Sequence, residues 1–262
     1  MGIIDSHAHY DHKRFHKDRD ALLKALPGLG VDAVINVGCD LASSKASVKL
    51  AEAYDYVYAT VGVHPHDSKS LTNEGLSQLK NLCAHKKVVA YGEIGLDFHY
   101  DFSPRDIQRK WFARQLELAH ELNMPVVIHS REAAEETFAT LKSSSVRRGV
   151  IHSFSGDAAL ALAYVDLGFY IGIGGVVTFD KTNTLQQVAA AVPLSKILLE
   201  TDCPYLTPDP HRGKRNESQY LIHVAQAIAK IKGEQVEEVC SQTSANAMEL
   251  FDNFSWIAMP TN

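Results

Sequence analysis

Eight short apolar runs recur along the chain with amphipathic stretches between them, and this alternation constrains the fold more than any other feature. The runs fall at 3–9, 33–38, 57–64, 88–96, 125–130, 149–153, 170–174 and 197–202. VVAYGEIGL and PVVIHS are apolar nearly throughout, as strands covered on both faces are, which suits a parallel sheet beneath helices. The clearest helical stretch runs over 104–123, with Ile107, Trp111, Leu118 and Leu122 on one apolar face. Ser103, Pro104 and Asp106 supply its start: a capping hydroxyl, an early proline and a first-turn acid. Eight such units in 262 residues predict an α/β protein of the TIM-type (β/α)8 barrel class, regular or distorted. A single domain over 1–262 is expected, with a short tail from about Trp256. An open doubly wound sheet is the rival, though it usually has fewer strands.

The first run, IIDSHAHYDH, ends in two imidazoles. Side chains alternate along a strand, so Asp5, His7 and His9 point one way while Ser6 and Ala8 point the other. Alone, His-x-His is an ordinary polar strand end. The later runs change that reading: His64 ends the third, Glu93 and Asp97 the fourth, His129 the fifth, His152 the sixth and Asp202 the eighth. A barrel gathers its active site at this end of the sheet from residues far apart in sequence. Glu93 sits inside an apolar run, where an unpaired carboxylate needs a compensating cation. His7, His9, His129 and His152 with two carboxylates exceed what one tetrahedral zinc takes. Two divalent ions sharing a bridging carboxylate fit the number better. Such donors admit zinc, manganese or cobalt, and magnesium where waters complete its shell.

The net charge of −5 gives no global basic surface, so a polyanion would need a local site. PDPHRGKRNES concentrates positive charge just after the eighth run. By itself it reads as a solvated loop; beside a metal site it suits a phosphodiester better than a neutral amide. Phe98, Tyr100 and Tyr205 fall near the same rim, where rings could stack on bases or simply pack the loops. Cys39, Cys83, Cys203 and Cys240 are widely spaced without a Cys-x-x-Cys pair, which points to a reducing, cytoplasmic setting. The amino terminus lacks the pattern of a secretory signal, and no apolar segment approaches about eighteen residues. No membrane association is expected, and a monomer is the default.

DSHAH, GVHPH, GEIGLDF, PVVIHSREA, HSFSG, ETDCPYL and RGKRNES stand in the order and at the separations of a known family. The chain resembles the TatD family of metal-dependent hydrolases, within the amidohydrolase superfamily, from its first strand to beyond its last. The resemblance implies that His7 and His9 bind one metal with Asp202, that His129 and His152 bind a second, and that Glu93 bridges them. It implies a deoxyribonuclease with 3′ to 5′ exonuclease action on single-stranded DNA and, in some members, cleavage at abasic sites. It gives His64 a role at substrate phosphate or the leaving group, and Lys214 and Arg215 a role in holding the polyanion. Asp5, Asp97, Arg131 and Ser155 are implied as supporting positions. Ser218 departs from the pattern, standing where the family often has proline, so the backbone entering the next helix is expected to be less fixed.

The expected mechanism uses water held between two ions as hydroxide, with Asp202 accepting its proton and returning one to the leaving oxygen. Two alternatives stay open on sequence: a metal-dependent amide or ester hydrolase on the same barrel, and a scaffold without turnover.

Overall fold

A computed structural model describes residues 2–251; the tail expected from Trp256 lies outside them. The eight runs form β1 (Ile3–Ala8), β2 (Val31–Val37), β3 (Val57–Val61), β4 (Val88–Asp97), β5 (Val126–Arg131), β6 (Gly149–Ile151), β7 (Phe169–Ile173) and β8 (Ile197–Leu199). They lie in sequence order and each pairs in parallel with the next. Helices alternate with them: α1 (Arg19–Ala25), α2 (Leu41–Ala53), α3 (Asn73–Cys83), α4 (Arg105–Glu121), α5 (Ala134–Ser143), α6 (Ala158–Asp166) and α7 (Thr184–Ala191). After β8 come α8 (Leu221–Lys232) and α9 (Val236–Leu250). The sheet curls into a nearly closed barrel. Its last seam is made past the end of β8, where Asp202 donates its N–H to the His7 carbonyl at 2.9 Å and His9 donates to Cys203 at 2.9 Å. None of the helices among the described residues is long and apolar enough to cross a membrane.

The barrel's two ends are chemically different. Ile4, Tyr58, Val89, Val127, Val150, Tyr170 and Leu198, each the second residue of its strand, form one apolar cluster with Leu250 and Phe251 at the carboxyl end of α9. That plug fills the amino-terminal end and leaves the polar strand ends to face the opposite mouth. Several expected strands stop early: His64, His152 and Asp202 lie just beyond their ladders. The backbone explains two of these stops, because Ser153 (φ 44°) and Asp202 (φ 53°) adopt the left-handed conformation, which no strand continues through.

Helix α4 starts differently from expectation. Pro104 occupies the N-cap position without a side-chain cap, and the Ser103 hydroxyl instead donates to the His66 carbonyl at 2.7 Å and accepts from Lys69 N–H at 3.1 Å. Two buried glutamines on α4 fix the neighbouring strand ends. Gln108 holds the Asp97 N–H and carbonyl, both at 2.9 Å, and Gln115 holds those of Val63 at 2.8 and 3.0 Å. Each glutamine supplies the donor and the acceptor for a backbone N–H and carbonyl at the mouth end of its strand.

Candidate metal centre

Glu93 is 3% exposed and stands at the centre of the polar mouth. Its Oε1 lies 3.0 Å from His129 Nδ1, 3.4 Å from His152 Nε2 and 3.5 Å from His64 Nε2, while its Oε2 lies 3.4 Å from His7 Nε2. Gly95 lets β4 approach β5 here, since a Cβ would stand only 1.9 Å from the His129 carbonyl oxygen. Burial works against a charge on Glu93, yet His64, His152 and His7, with the His129 hydrogen bond, hold its carboxyl well below the ordinary range. An anion this deep is stable only because imidazoles surround it.

His9 joins from the other side. Its Nδ1 donates to the Val37 carbonyl at 3.0 Å, which leaves Nε2 facing His7 Nε2 at 3.1 Å and Asp202 Oδ1 at 3.3 Å. Two imidazole lone pairs cannot face one another at that distance without a proton or a metal cation between them. The donor set therefore fits a cation. His7, His9 and Asp202 have ligand atoms within 4.8 Å of one another, as do His7, Glu93 and His152, and also His64, Glu93 and His129. His129 and His152 meet at Glu93 Oε1, not at each other: their ring centroids are 6.1 Å apart. His7 stacks on His152 with centroids 3.6 Å apart, so it touches both halves of the cluster.

The family model of TatD-related DNases matches residues 4–252. The chain belongs to the TatD family. It is 40% identical to a Bacillus subtilis relative named uncharacterized metal-dependent hydrolase YabD, covering 95% of this chain and 98% of the relative. It is 38% identical to a protein of Escherichia fergusonii named 3′-5′ ssDNA/RNA exonuclease TatD, covering 91% and 94%. The crystal structure of YjjV, a TatD homologue from Escherichia coli, superposes with a TM-score of 0.90 at 32% identity, covering 95% of this chain and 98% of that one. This TatD-family chain is thus a metal-dependent hydrolase by kinship as well as by its donor set.

Two buried carboxylates stand behind the imidazoles of this TatD barrel. Asp97 Oδ2 accepts from His129 Nε2 at 3.0 Å and from His66 Nε2 at 2.9 Å. Glu200 Oε1 lies 3.2 Å from His152 Nδ1 and accepts the Ser153 N–H at 2.5 Å. Glu200 received no role from sequence, although alternation along the expected 197–202 run would put it on the same face as Asp202 two residues later. Asp5 does not orient an imidazole. It accepts from the His7 and Thr201 N–H groups at 3.2 and 3.0 Å, from the Thr201 hydroxyl at 2.7 Å and from the Ser218 hydroxyl at 2.6 Å. Burial pushes its carboxyl up to about 6 against those four hydrogen bonds. Its work is to fix the β1–β8 seam that carries His7, His9 and Asp202. Asp11 accepts from Asn36 at 2.9 Å and lines the cleft.

Ser218 corrects the expectation of a looser backbone. Its N–H donates to the Tyr10 hydroxyl at 2.9 Å, its Oγ lies 2.7 Å from that hydroxyl, and it donates to Asp5, all in the buried interior. A proline there would have no N–H to give. Lys214 and Arg215 do not line the cleft of about 1080 Å³ over the cluster. Arg215 grips Asp18 with both nitrogens at 2.7 Å, reaches Glu217 at 2.7 Å and lies over the Phe15 ring at 4.4 Å. Phe98 is covered by the guanidinium groups of Arg105 and Arg109, at 4.5 and 5.2 Å from its ring centroid. Tyr100 and Tyr205, which both line the cleft, remain 46% and 47% exposed.

Proposed function

We propose that this chain is a divalent-metal-dependent exonuclease that trims single-stranded nucleic acid from the 3′ end. Its proposed ligands are His7, His9 and Asp202 for one ion and His129 and His152 for a second, with Glu93 between them. The observation that carries this reading is the buried Glu93 carboxylate with four imidazoles within 3.5 Å, in a chain close in sequence to a named ssDNA/RNA exonuclease. Bound at these donors, such ions would supply positive charge to phosphate oxygens and would acidify an attacking water.

The remaining work belongs to the chain. Burial opposes ionisation of Asp202, but His9, His152 and His7 hold its carboxyl below the usual value. As an ionised group 19% exposed at the cleft, Asp202 accepts the proton of the attacking water and delivers one to the leaving oxygen. His64 accepts the His66 N–H on Nδ1 at 3.1 Å, so its neutral ring carries the proton on Nε2. Burial and His129 hold it well below its ordinary pKa, and it serves as a neutral donor to a phosphate oxygen. A monomer suffices for this chemistry because one chain supplies the whole cluster. Four free thiols suit the cytoplasm proposed as its setting.

The test is to strip the protein of metal, restore Mg²⁺, Mn²⁺ or Zn²⁺ separately, and follow 3′- and 5′-labelled single-stranded DNA and RNA beside an amide panel. Release of mononucleotides from the 3′ end, lost in Glu93→Gln, is expected. Amide turnover without nuclease activity, or full activity in Glu93→Gln, would overturn the reading.

A further inference from the structure

The metal cleft is badly equipped to hold more than the reacting phosphate. Its lining includes Asp11, Asp40, Asp67 and Asp180 besides the carboxylates of the cluster. Among the described residues Arg131 is its one lysine or arginine, and that guanidinium lies over the Tyr100 ring, 4.8 Å from the centroid. A row of phosphates continuing from the cluster meets repulsion inside this cleft and needs its counter-charge elsewhere.

A second cleft, of about 570 Å³, is lined by Lys13, Arg14, Lys17, Lys214 and Arg215, with Glu217 as its acid. Arg215 is neutralised by Asp18 and Glu217. The uncommitted charge is therefore that of Lys13, Arg14, Lys17 and Lys214, all exposed, in a protein whose net charge is −5. Arg14 is anchored by donating to the Pro204 carbonyl at 3.1 Å, which leaves its charge in place.

The same two loops build both clefts. After β1, His9, Asp11 and His12 face the metal cleft and Lys13, Arg14 and Lys17 the basic one. After β8, Asp202 and Tyr205 face the first, Lys214 and Arg215 the second. On the metal-cleft side, His12 is next in chain to Lys13 and Tyr205 is next to the Pro204 that Arg14 holds, so this pair marks the divide. The two are joined at 3.3 Å between Nε2 and the hydroxyl, with ring centroids 5.7 Å apart. Tyr205 is 47% exposed on that divide. An exposed ring between a reacting site and a row of cations is what an unpaired base stacks on while its phosphates reach the charge.

We infer that a single-stranded nucleic acid held at the metal cluster passes over the His12–Tyr205 pair and lays its further phosphates in the basic cleft, on Lys13, Lys17 and Lys214. This rests on the exonuclease reading for the identity of the polyanion. It makes the basic cleft a length-sensing subsite: it contributes nothing until the strand is long enough to cross the divide.

Fluorescence anisotropy with the full-length, metal-loaded protein and labelled, hydrolysis-resistant phosphorothioate oligothymidylates, from dinucleotide to dodecanucleotide, tests it without turnover. Wild-type affinity should rise with length. In Lys13→Gln/Lys17→Gln/Lys214→Gln the deficit should grow with length to at least about tenfold, and the salt slope for the longest strand should fall by about 2, three lost contacts at about 0.7 each. Tyr205→Ala should weaken binding by about tenfold once the strand reaches the divide. Lys49→Gln/Lys110→Gln/Lys230→Gln, on the outer helices α2, α4 and α8, carries the same change in net charge and should bind as wild type does. Absence of length dependence in the wild type, an unaltered basic-cleft variant, or an equal loss in the outer-helix variant would each overturn the inference. Failure of the exonuclease reading looks different: no hydrolysis by the metal-loaded wild type, with the length-dependent binding intact.

Discussion

Glu200 Oε1 lies 3.2 Å from His152 Nδ1, while Nε2 of the same ring lies 3.4 Å from Glu93 Oε1. The imidazole is therefore held between two buried carboxylates, one in front and one behind. Gly172 on β7 makes the room for this, since a Cβ there would stand 2.3 Å from Glu200 Oε2. A carboxylate behind a ligating imidazole sets its orientation and basicity, and its loss ordinarily weakens metal binding by about 10- to 100-fold. Glu200→Gln should show a loss of that size in competition with a chromogenic chelator, and Gly172→Ala a part of it. Unchanged affinity in both variants would remove Glu200 from the metal centre.

The same carboxylates make metal loading depend on pH. Burial opposes a charge on His152, but Glu200 and Glu93 push its pKa up to about 9; burial likewise opposes His129, which Asp97 and Glu93 raise. The His152 ring is thus protonated in the metal-free protein at neutral pH. An ion takes imidazole only in its neutral form, so loading expels protons. Apparent metal affinity should rise with pH up to about 9 and fall below it. Calorimetric titration at neutral pH in buffers of different ionisation enthalpy should register net proton release, whereas proton uptake would contradict the assignment of these rings as ligands.

How far the sequence foretold this arrangement depended on distance along the chain. Apolar runs and strand-end histidines are local patterns, so the eight strands and the convergence of His7, Glu93, His129, His152 and Asp202 could be read from them. The fates of Arg215 and Ser218 could not. Each is decided by partners about two hundred residues away, Asp18 for the one and Asp5 and Tyr10 for the other. A basic tetrad in a loop looks the same whether its arginine faces substrate or a neighbouring acid. Glu200 was legible in principle through alternation with Asp202, but Leu198 and Leu199 before it gave no sign that the strand's end was lined with charge.

Ser218 offers a stability test independent of the metals. Ser218→Ala removes one of two hydroxyl donors from the Asp5 Oδ2 oxygen, leaving Thr201 alone. Loss of a buried hydrogen bond to a charged group should cost about 1–3 kcal/mol, measured as a lower midpoint in urea. Ser218→Pro should cost more, because the N–H donated to the Tyr10 hydroxyl goes as well. A proline variant as stable as wild type would show that the serine is not what fastens this segment.

Arg215 decides between fastening a loop and holding substrate. Its two-pronged grip on Asp18, its contact with Glu217 and its place over Phe15 tie the loop after β1 to the loop after β8. Asp18 is half exposed, so solvent screening limits the pair, and Arg215→Ala should lower stability by about 1 kcal/mol. Arg215→Lys should recover little of it, because an ammonium cannot reproduce the fork. The Arg215 hydrogen bond holds the Asp18 carboxyl below its ordinary pKa of 3.8. A lowered carboxylate pKa contributes stability above the unfolded value that is lost as pH falls through the folded one. The gap between wild type and Arg215→Ala should therefore persist at neutral pH and close in acid below about pH 4. If Arg215→Ala kept its stability across that range but lost affinity for oligonucleotide, the arginine would belong to the substrate and the loops would be held by other contacts.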